Sequence, residues 1–159
     1  MNTRKKIVLP SQLPALATDL KARGKRIVFT NGCFDLLHPG HVHLLECAKS
    51  FGDVLIVGIN SDNSVMKLKG STRPIFNQDD RSRVIASIEA VDYVTVFNQD
   101  DPRKVIELIK PHVHVKGGDY ASGGVIEEET VRKRGGEVKY VKLLEGYSTT
   151  AILNRIKSG

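Results

Sequence analysis

Residues 26–32 read Arg26-Ile27-Val28-Phe29-Thr30-Asn31-Gly32, a β-branched and aromatic run that ends in turn residues. This composition predicts a buried strand that leads into a loop. The pattern becomes helical from His41, and the run Val54-Leu55-Ile56-Val57-Gly58-Ile59 then predicts a second strand, buried on both faces. A strand, a helix and a strand in this order are typical of parallel strands joined by a crossover helix.

The same alternation continues to the end of the chain. Strands are also predicted at residues 93–97, 113–115 and 137–143, and helices at residues 13–21, 62–66, 79–91, 102–109, 125–134 and 149–156. The sequence therefore predicts an α/β fold: a doubly wound, Rossmann-like, parallel five-stranded sheet with helices on both faces. We expect a single domain over residues 1–159, with residues 1–25 as an N-terminal helical extension.

Composition narrows the class of protein. With 26% charged residues, the chain of 159 residues is neither a disordered tail nor a fibrous repeat. Its apolar runs are far shorter than the roughly 20 residues of a membrane span, and no signal-peptide pattern follows the N-terminus, so we expect a cytoplasmic protein. Cys33 and Cys47 match no zinc spacing and are predicted to be reduced, packed thiols. The net charge of +6 indicates an anionic partner, either nucleic acid or a phosphorylated small molecule.

The loop after the first strand carries the most informative residues. It lacks the G-x-G-x-x-G of dinucleotide folds but contains His38-Pro39-Gly40-His41, where a helix begins. Free N–H groups and the helix dipole make this start an anion site, which the two imidazoles would extend toward a phosphate. Gly40 would let the ligand approach the backbone. Two other interpretations stay open: one histidine caps the helix while the other is exposed, or the pair binds zinc, although no further ligands are evident.

With Gly32-Cys33-Phe34-Asp35 before it, this loop resembles the G-x-F-D-x-x-H-x-G-H signature of the cytidylyltransferase-like nucleotidyltransferases. That family transfers a nucleotidyl group from a nucleoside triphosphate to a phosphate or a phosphorylated substrate and releases pyrophosphate. The resemblance implies that His38 and His41 contact the triphosphate and stabilise the transferring phosphorus. It implies nucleotide contacts from Asn31, Gly32, Cys33, Phe34 and Gly40. It places Asp35 beside the substrate or the metal, while a structural, turn-closing role stays open.

Cations follow the second strand at Lys67, Lys69 and Arg73. They form either a solvated face or part of the ligand site, because the carboxyl ends of parallel strands face the ligand. Nucleotidyl transfer needs positive charge at the developing oxygen charge. Lys67 resembles the family's phosphate-binding lysine and is predicted to be catalytic, and Lys69 and Arg73 are predicted to bind substrate.

Arg81 shares a predicted helical face with Val84, Ile85 and Ile88, so its guanidinium points inward and needs an anion. In the resembling family an arginine at this helix start helps to position the substrate. A structural pair with an acid is the alternative.

Two later motifs add to the predicted site. Lys116-Gly117-Gly118-Asp119-Tyr120 resembles a loop of the heptose-1-phosphate adenylyltransferases, a branch of the same family, and could otherwise be an ordinary tight turn. The resemblance implies that Lys116 and Asp119 bind substrate and that Gly118 binds the nucleotide. Ser148, Thr149 and Thr150 open the last helix, where hydroxyls cap free N–H groups and, in the family, contact nucleotide phosphate.

The resemblance as a whole implies transfer of AMP from ATP to a sugar 1-phosphate, D-glycero-D-manno-heptose 1-phosphate, for lipopolysaccharide-type glycans. Mg²⁺ would accompany the triphosphate without a metal site built from side chains, a homodimer is expected from relatives, and a sugar kinase would be a separate polypeptide. Two alternatives stay open. One is transfer of CMP from CTP to glycerol 3-phosphate. The other is a nucleic-acid-binding module, which the 6% of aromatic residues and the absence of Trp disfavour.

Overall fold

The computed structural model describes residues 2–118 and 124–159 and contains a five-stranded parallel sheet. Its strands are β1 (Ile27–Gly32), β2 (Val54–Asn60), β3 (Tyr93–Phe97), β4 (Val113–Gly117) and β5 (Glu137–Val141). Neighbouring strands pair in the order β3-β2-β1-β4-β5, and each pair is parallel. The structure therefore confirms the predicted doubly wound α/β sheet.

Helices connect and cover these strands. They are α1 (Leu13–Ala22), α2 (Pro39–Lys49), α3 (Asp62–Lys69), α4 (Gln78–Ala86), α5 (Arg103–Ile109), α6 (Glu128–Lys133) and α7 (Thr149–Ser158). Short 3₁₀ helices at Thr3–Lys6 and Pro10–Gln12 precede α1. Among the described residues, no helix is long and apolar enough to cross a bilayer.

The strand order reverses beside β1. The chain builds outward from β1 to β3 at one edge and then returns to place β4 on the other side of β1. Loops that leave β1 and β4 therefore diverge, and they open a crevice at the carboxyl ends of these two strands. The topology thus brings together the loops that hold the two histidines and Lys116.

The core lies in two layers, one on each face of the sheet. Helices α2 and α4 bury apolar side chains in one layer, and α1, α5 and α6 bury theirs in the other. Every residue of the interior strand β2 is buried, as its continuous apolar run predicts for a strand covered on both faces.

The N-terminal segment is helical in part and packs against the sheet. A single domain with residues 1–25 as a helical extension stays a prediction. The Val8 N–H donates to the Val94 carbonyl (2.8 Å), which ties the segment to the edge strand β3. Leu13, Ala17 and Leu20 are buried in the second core layer.

Helix α4 is shorter than the predicted helix at residues 79–91. It ends at Ala86, where the N–H groups of Ser87 and Ile88 donate to carbonyls three residues back. Ile88 and Val91 still pack on the core from the irregular segment that follows. Their apolar character therefore continued the helical pattern beyond the helix itself.

Candidate active site

A cleft of about 570 Å³ lies at the carboxyl ends of β1 and β4. The predicted site residues on its walls are Asn31, Gly32, Cys33, Phe34, Asp35, His38, Gly40, His41, Lys69, Arg73, Lys116, Ser148, Thr149 and Thr150. Residues from four separate stretches of the chain (31–41, 69–73, 116 and 148–150) therefore meet in one place.

Two helix N-termini open onto this cleft. His38 is the N-cap of α2, and Ser148 is the N-cap of α7, where its Oγ accepts a hydrogen bond from the Ala151 N–H (3.0 Å). Free N–H groups and the positive ends of the helix dipoles favour an anion at both positions. The structure confirms the capping role predicted for Ser148. A contact between Ser148 and nucleotide phosphate stays a prediction.

The two imidazoles are held by the backbone of the same turn. The Gly40 N–H donates to Nδ1 of His38 (3.1 Å), and the His38 N–H donates to Nδ1 of His41 (3.3 Å). Because each Nδ1 accepts a hydrogen bond, the proton of each neutral ring lies on Nε2. The rings stack with centroids 3.9 Å apart. Each ring therefore has its Nε2–H available as a donor to a ligand in the cleft.

Burial keeps both rings neutral. It lowers the pKa of His38, and burial together with the neighbouring His38 lowers the pKa of His41 to about 4. A neutral ring is the form that this arrangement requires, since protonation at Nδ1 would remove the acceptor of a helix-capping bond.

We expect an NMR titration of His41 in the ligand-free protein to give a midpoint near 4 rather than near 6.5. Between these values the unfolded chain binds a proton that the folded chain does not. The contribution of His41 to stability therefore falls as the pH is lowered from about 6.5 to about 4. A midpoint close to 6.5 would contradict the buried, backbone-held ring.

Two glycines in the motif leave room for the rings. A Cβ at Gly32 would lie 3.1 Å from Cε2 of Phe34, and a Cβ at Gly40 would lie 2.9 Å from the His38 ring. Phe34 itself has a positive φ of 47°, a conformation that costs a side chain of this size of order 1 kcal/mol or more. This turn sets the Phe34 ring against His41, with centroids 5.4 Å apart. The spacing of the motif thus shapes the histidine pair.

Asp35 closes a loop, as in the structural alternative. Its carboxylate is buried and accepts hydrogen bonds from the N–H groups of Ile75 and Phe76 and from Nε of Arg73 (2.7 Å). Burial alone would raise the pKa of Asp35, but these donors outweigh it and hold the pKa below its usual range. Asp35 therefore fixes the segment that carries Arg73 on the cleft wall.

The cations that follow β2 do not all face the cleft. Lys69 and Arg73 line the cleft, whereas Lys67 does not and is 69% exposed, with its Nζ 3.9 Å from Asp100. Lys67 and Lys69 are two residues apart on α3, which turns their side chains in nearly opposite directions. The structure thus places Lys69 on the cleft wall and Lys67 outside it, whereas the sequence predicts both at the site.

Arg81 is buried beneath the cleft and does not line it. Its guanidinium donates to the carbonyls of Cys33 (2.6 Å), Asn60 (2.9 Å) and Phe76 (2.9 Å) and to the Asp62 carboxylate (2.7 Å). These bonds favour the structural alternative over the predicted substrate contact, because an inward arginine must satisfy its donors inside the protein. Arg81 ties the end of β1, the end of β2 and the loop before α4 together.

The glycine-rich loop after β4 is only partly described. The Gly118 N–H donates to the Val141 carbonyl (2.9 Å), and Gly118 is absent from the cleft wall among the described residues. This bond continues the ladder between β4 and β5 by one residue beyond Gly117. Asp119 and Tyr120 lie outside the described residues.

The cleft also contains residues that sequence reasoning missed. Asn60, Leu143, Leu144 and Tyr147 line it, and the Tyr147 ring lies nearly parallel to that of His38 with centroids 6.3 Å apart. Tyr147 stands directly before the Ser148 cap, and this position next to a predicted phosphate site was the available signal. Nothing in the local pattern marked the two leucines.

The described part of the chain holds no cluster of metal-ligating side chains. Over residues 2–118 and 124–159, His, Cys, Asp and Glu do not gather in threes or more as a metal ion requires. Both cysteines are free thiols, as predicted, and burial raises the pKa of Cys33.

The parallel sheet and the phosphate-directed cleft at its switch point are features of nucleotidyltransferases, and this domain is of that class. The family model described as Cytidylyltransferase-like matches residues 29–155. The chain belongs to this family, as its histidine motif predicted.

Relatives agree with this assignment. The "Bifunctional protein HldE" of Aliarcobacter butzleri is 51% identical over 156 residues, which cover 98% of this chain and 32% of the relative. The protein of the same name from Geobacter metallireducens is 52% identical over 136 residues, 86% of this chain and 28% of that one. The chain thus spans about a third of the length of the curated relatives it matches.

Solved structures show the same fold. The lipopolysaccharide core biosynthesis protein from Thermoplasma volcanium superimposes with a TM-score of 0.62 at 30% identity, covering 79% of this chain and 100% of that one. Pantoate-beta-alanine ligase from Francisella tularensis gives a TM-score of 0.61 at 15% identity over 95% of this chain and 76% of that one. The second likeness concerns the fold alone.

Proposed function

We propose that this domain transfers AMP from ATP to a sugar 1-phosphate, D-glycero-D-manno-heptose 1-phosphate, and forms ADP-heptose and pyrophosphate. The observation that carries the proposal is the convergence of two neutral imidazoles, two helix N-termini and cations on one cleft. The choice of acceptor is supported by the resemblance of residues 116–120 to heptose-1-phosphate adenylyltransferases and by the relatives named HldE.

In the proposed reaction an acceptor phosphate oxygen attacks the α-phosphorus of ATP in line. A new bond forms between that oxygen and the α-phosphorus, and the bond to the β-phosphate oxygen breaks as pyrophosphate leaves. His38 and His41 donate from Nε2 to the phosphate oxygens on which charge develops. No protein nucleophile takes part in this step.

The remaining charge comes from other walls of the cleft. Lys69 and Arg73 neutralise phosphate on the α3 side, and Lys116 does so from β4. Thr149 and Thr150 present the N-terminus of α7 to the triphosphate. Asp119 stays in the proposal as an acceptor-binding residue on the strength of the motif it belongs to.

Mg²⁺ would enter with ATP, bound to triphosphate oxygens and water. Asp35 is the one carboxylate on the described walls of the cleft, and its oxygens already accept hydrogen bonds from Arg73 and two backbone N–H groups. The donor set therefore fits a metal carried by the substrate rather than one held by the protein. Such an ion supplies neutralisation of the triphosphate charge.

The test is a pyrophosphate-release assay that combines ATP or CTP with heptose 1-phosphate or glycerol 3-phosphate. We expect turnover with ATP and heptose 1-phosphate. Turnover with CTP and glycerol 3-phosphate alone would establish the cytidylyltransferase alternative. Salt-sensitive DNA binding without pyrophosphate release from any pair would favour the nucleic-acid-binding alternative.

A further inference from the structure

A buried group of charged side chains lies behind the cleft wall at β4. His114 and Lys116 stand on this strand, two residues apart and on the same face, and Glu127 directly precedes α6. His114 and Glu127 are almost completely buried, whereas Lys116 reaches the cleft. No role in nucleotide transfer follows for Glu127 from the motifs or from the cleft lining.

Glu127 is the centre of this group. Its Oε1 accepts one hydrogen bond from Nε2 of His114 and one from Nζ of Lys116, each 3.0 Å long. Burial would raise the pKa of Glu127, but His114 and Lys116 together hold it at about 2. Burial lowers the pKa of His114, which keeps that ring neutral. The buried carboxylate is therefore balanced by the Lys116 ammonium, and a buried charge left without its partner is strongly unfavourable.

Lys116, held by Glu127, also contacts Asn31. Its Nζ lies 3.3 Å from Oδ1 of Asn31, and both residues line the cleft. Lysine has donors only, so it must face the amide oxygen of Asn31. The NH₂ group of Asn31 is thereby turned away from Lys116. A chain of contacts thus runs from buried Glu127 through Lys116 to an amide on the nucleotide side of the cleft.

We propose that Glu127 is a positioning residue that holds Lys116 against Asn31 and so sets both groups for the bound nucleoside triphosphate. This inference rests on the proposed function for the identity of the ligand. It assigns the buried carboxylate to ligand binding through Lys116, in addition to any part that it has in stability.

The test compares Glu127→Gln with His114→Phe by calorimetric titration of ATP and CTP. The glutamine keeps the shape of Glu127 but removes the charge that holds the ammonium. The phenylalanine removes the other bond to the same carboxylate oxygen, keeps a ring stacked on Phe29 and leaves the Lys116 contact in place. We expect both variants to melt at a lower temperature. Only Glu127→Gln should bind the preferred triphosphate more weakly, by about tenfold, in the range found for coupled neighbours.

A double-mutant cycle with Lys116→Gln tests the route. If Glu127 acts through Lys116, Glu127→Gln has no further effect on triphosphate binding in the Lys116→Gln background. Equal weakening by Glu127→Gln and His114→Phe would overturn the proposal, as would additive effects in the cycle. Unchanged triphosphate binding by Glu127→Gln would overturn the proposal as well. So would tighter binding, which is the result expected if the Lys116 ammonium, once released from Glu127, binds the triphosphate better. If Glu127→Gln does not fold, Glu127→Asp replaces it, with a two- to threefold weakening expected from the shorter reach.

These measurements separate the two proposals. A wild-type protein that binds ATP but does not turn over heptose 1-phosphate would remove the proposed function and leave the inference on Glu127 to be decided by binding. A wild-type protein that turns over ATP while Glu127→Gln binds it normally would remove the inference alone.

Discussion

His41→Ala is expected to lower turnover by about a hundredfold or more while the protein stays folded, as for other donors that stabilise transition-state charge. The variant removes an Nε2–H donor whose proton position is set by the bond from the His38 N–H to Nδ1. It also removes the ring that stacks on His38. Single-turnover pyrophosphate release and a melting curve measure the two effects separately.

His43→Ala is the matched control, because His43 lies on the same helix but does not line the cleft. Its ring contacts Cys47 one helical turn away. We expect turnover close to that of the wild type. Near-normal turnover by His41→Ala, or an equal loss in both variants, would remove the role assigned to His41.

Arg81→Met should destabilise the protein by about 3 kcal/mol, because removing a buried charged donor leaves its acceptors unpaired. The methionine keeps apolar bulk but leaves three backbone carbonyls and Asp62 without their donor. For a domain of this size the loss corresponds to a fall in Tm of about 6–12 °C. Urea denaturation would measure the change in the free energy of unfolding, provided that this free energy depends on urea concentration with the same slope in both proteins.

Arg83→Met is the control for this variant. Arg83 is exposed on the same helix, two residues further along, and its replacement should stay within about 0.5 kcal/mol of the wild type. A substrate-binding arginine would behave in the opposite way. If Arg81→Met kept its stability but raised KM for the acceptor, the structural role would be wrong and the sequence prediction of a substrate contact would be restored.

Much of the fold was predictable because it depends on neighbours in the sequence. The buried run of β2 and the helical patterns at residues 62–66 and 102–109 are local, and the structure has a strand or a helix at each of them. The end of α4 was not predictable in the same way. Ile88 and Val91 continue the helical spacing of apolar residues past Ala86, but they pack on the core from an irregular segment that only tertiary contacts position.

The site residues also divide into those that the local sequence predicts and those that it does not. The motif around His38 and His41 was predictable, because the cap, the glycines and the stacked rings all lie within ten residues. Lys67 and Lys69 look equivalent in the sequence, and only the helix rotation separates them. Asp35 and Arg81 were predicted to bind substrate, but all their partners except Phe76, which contacts Arg81, lie 19 to 48 residues away in the chain.

The sequence by itself determined the parallel α/β class, the histidine-bearing helix start and the family to which the chain belongs. Tertiary structure alone decided which charged groups face the cleft and which are paired inside the protein. Arg81 and Glu127 are of the second kind. The reason is electrostatic. A charge removed from water must be paired with another group of the protein. The order of the strands, rather than the local sequence, determines which residues lie close enough to pair with it.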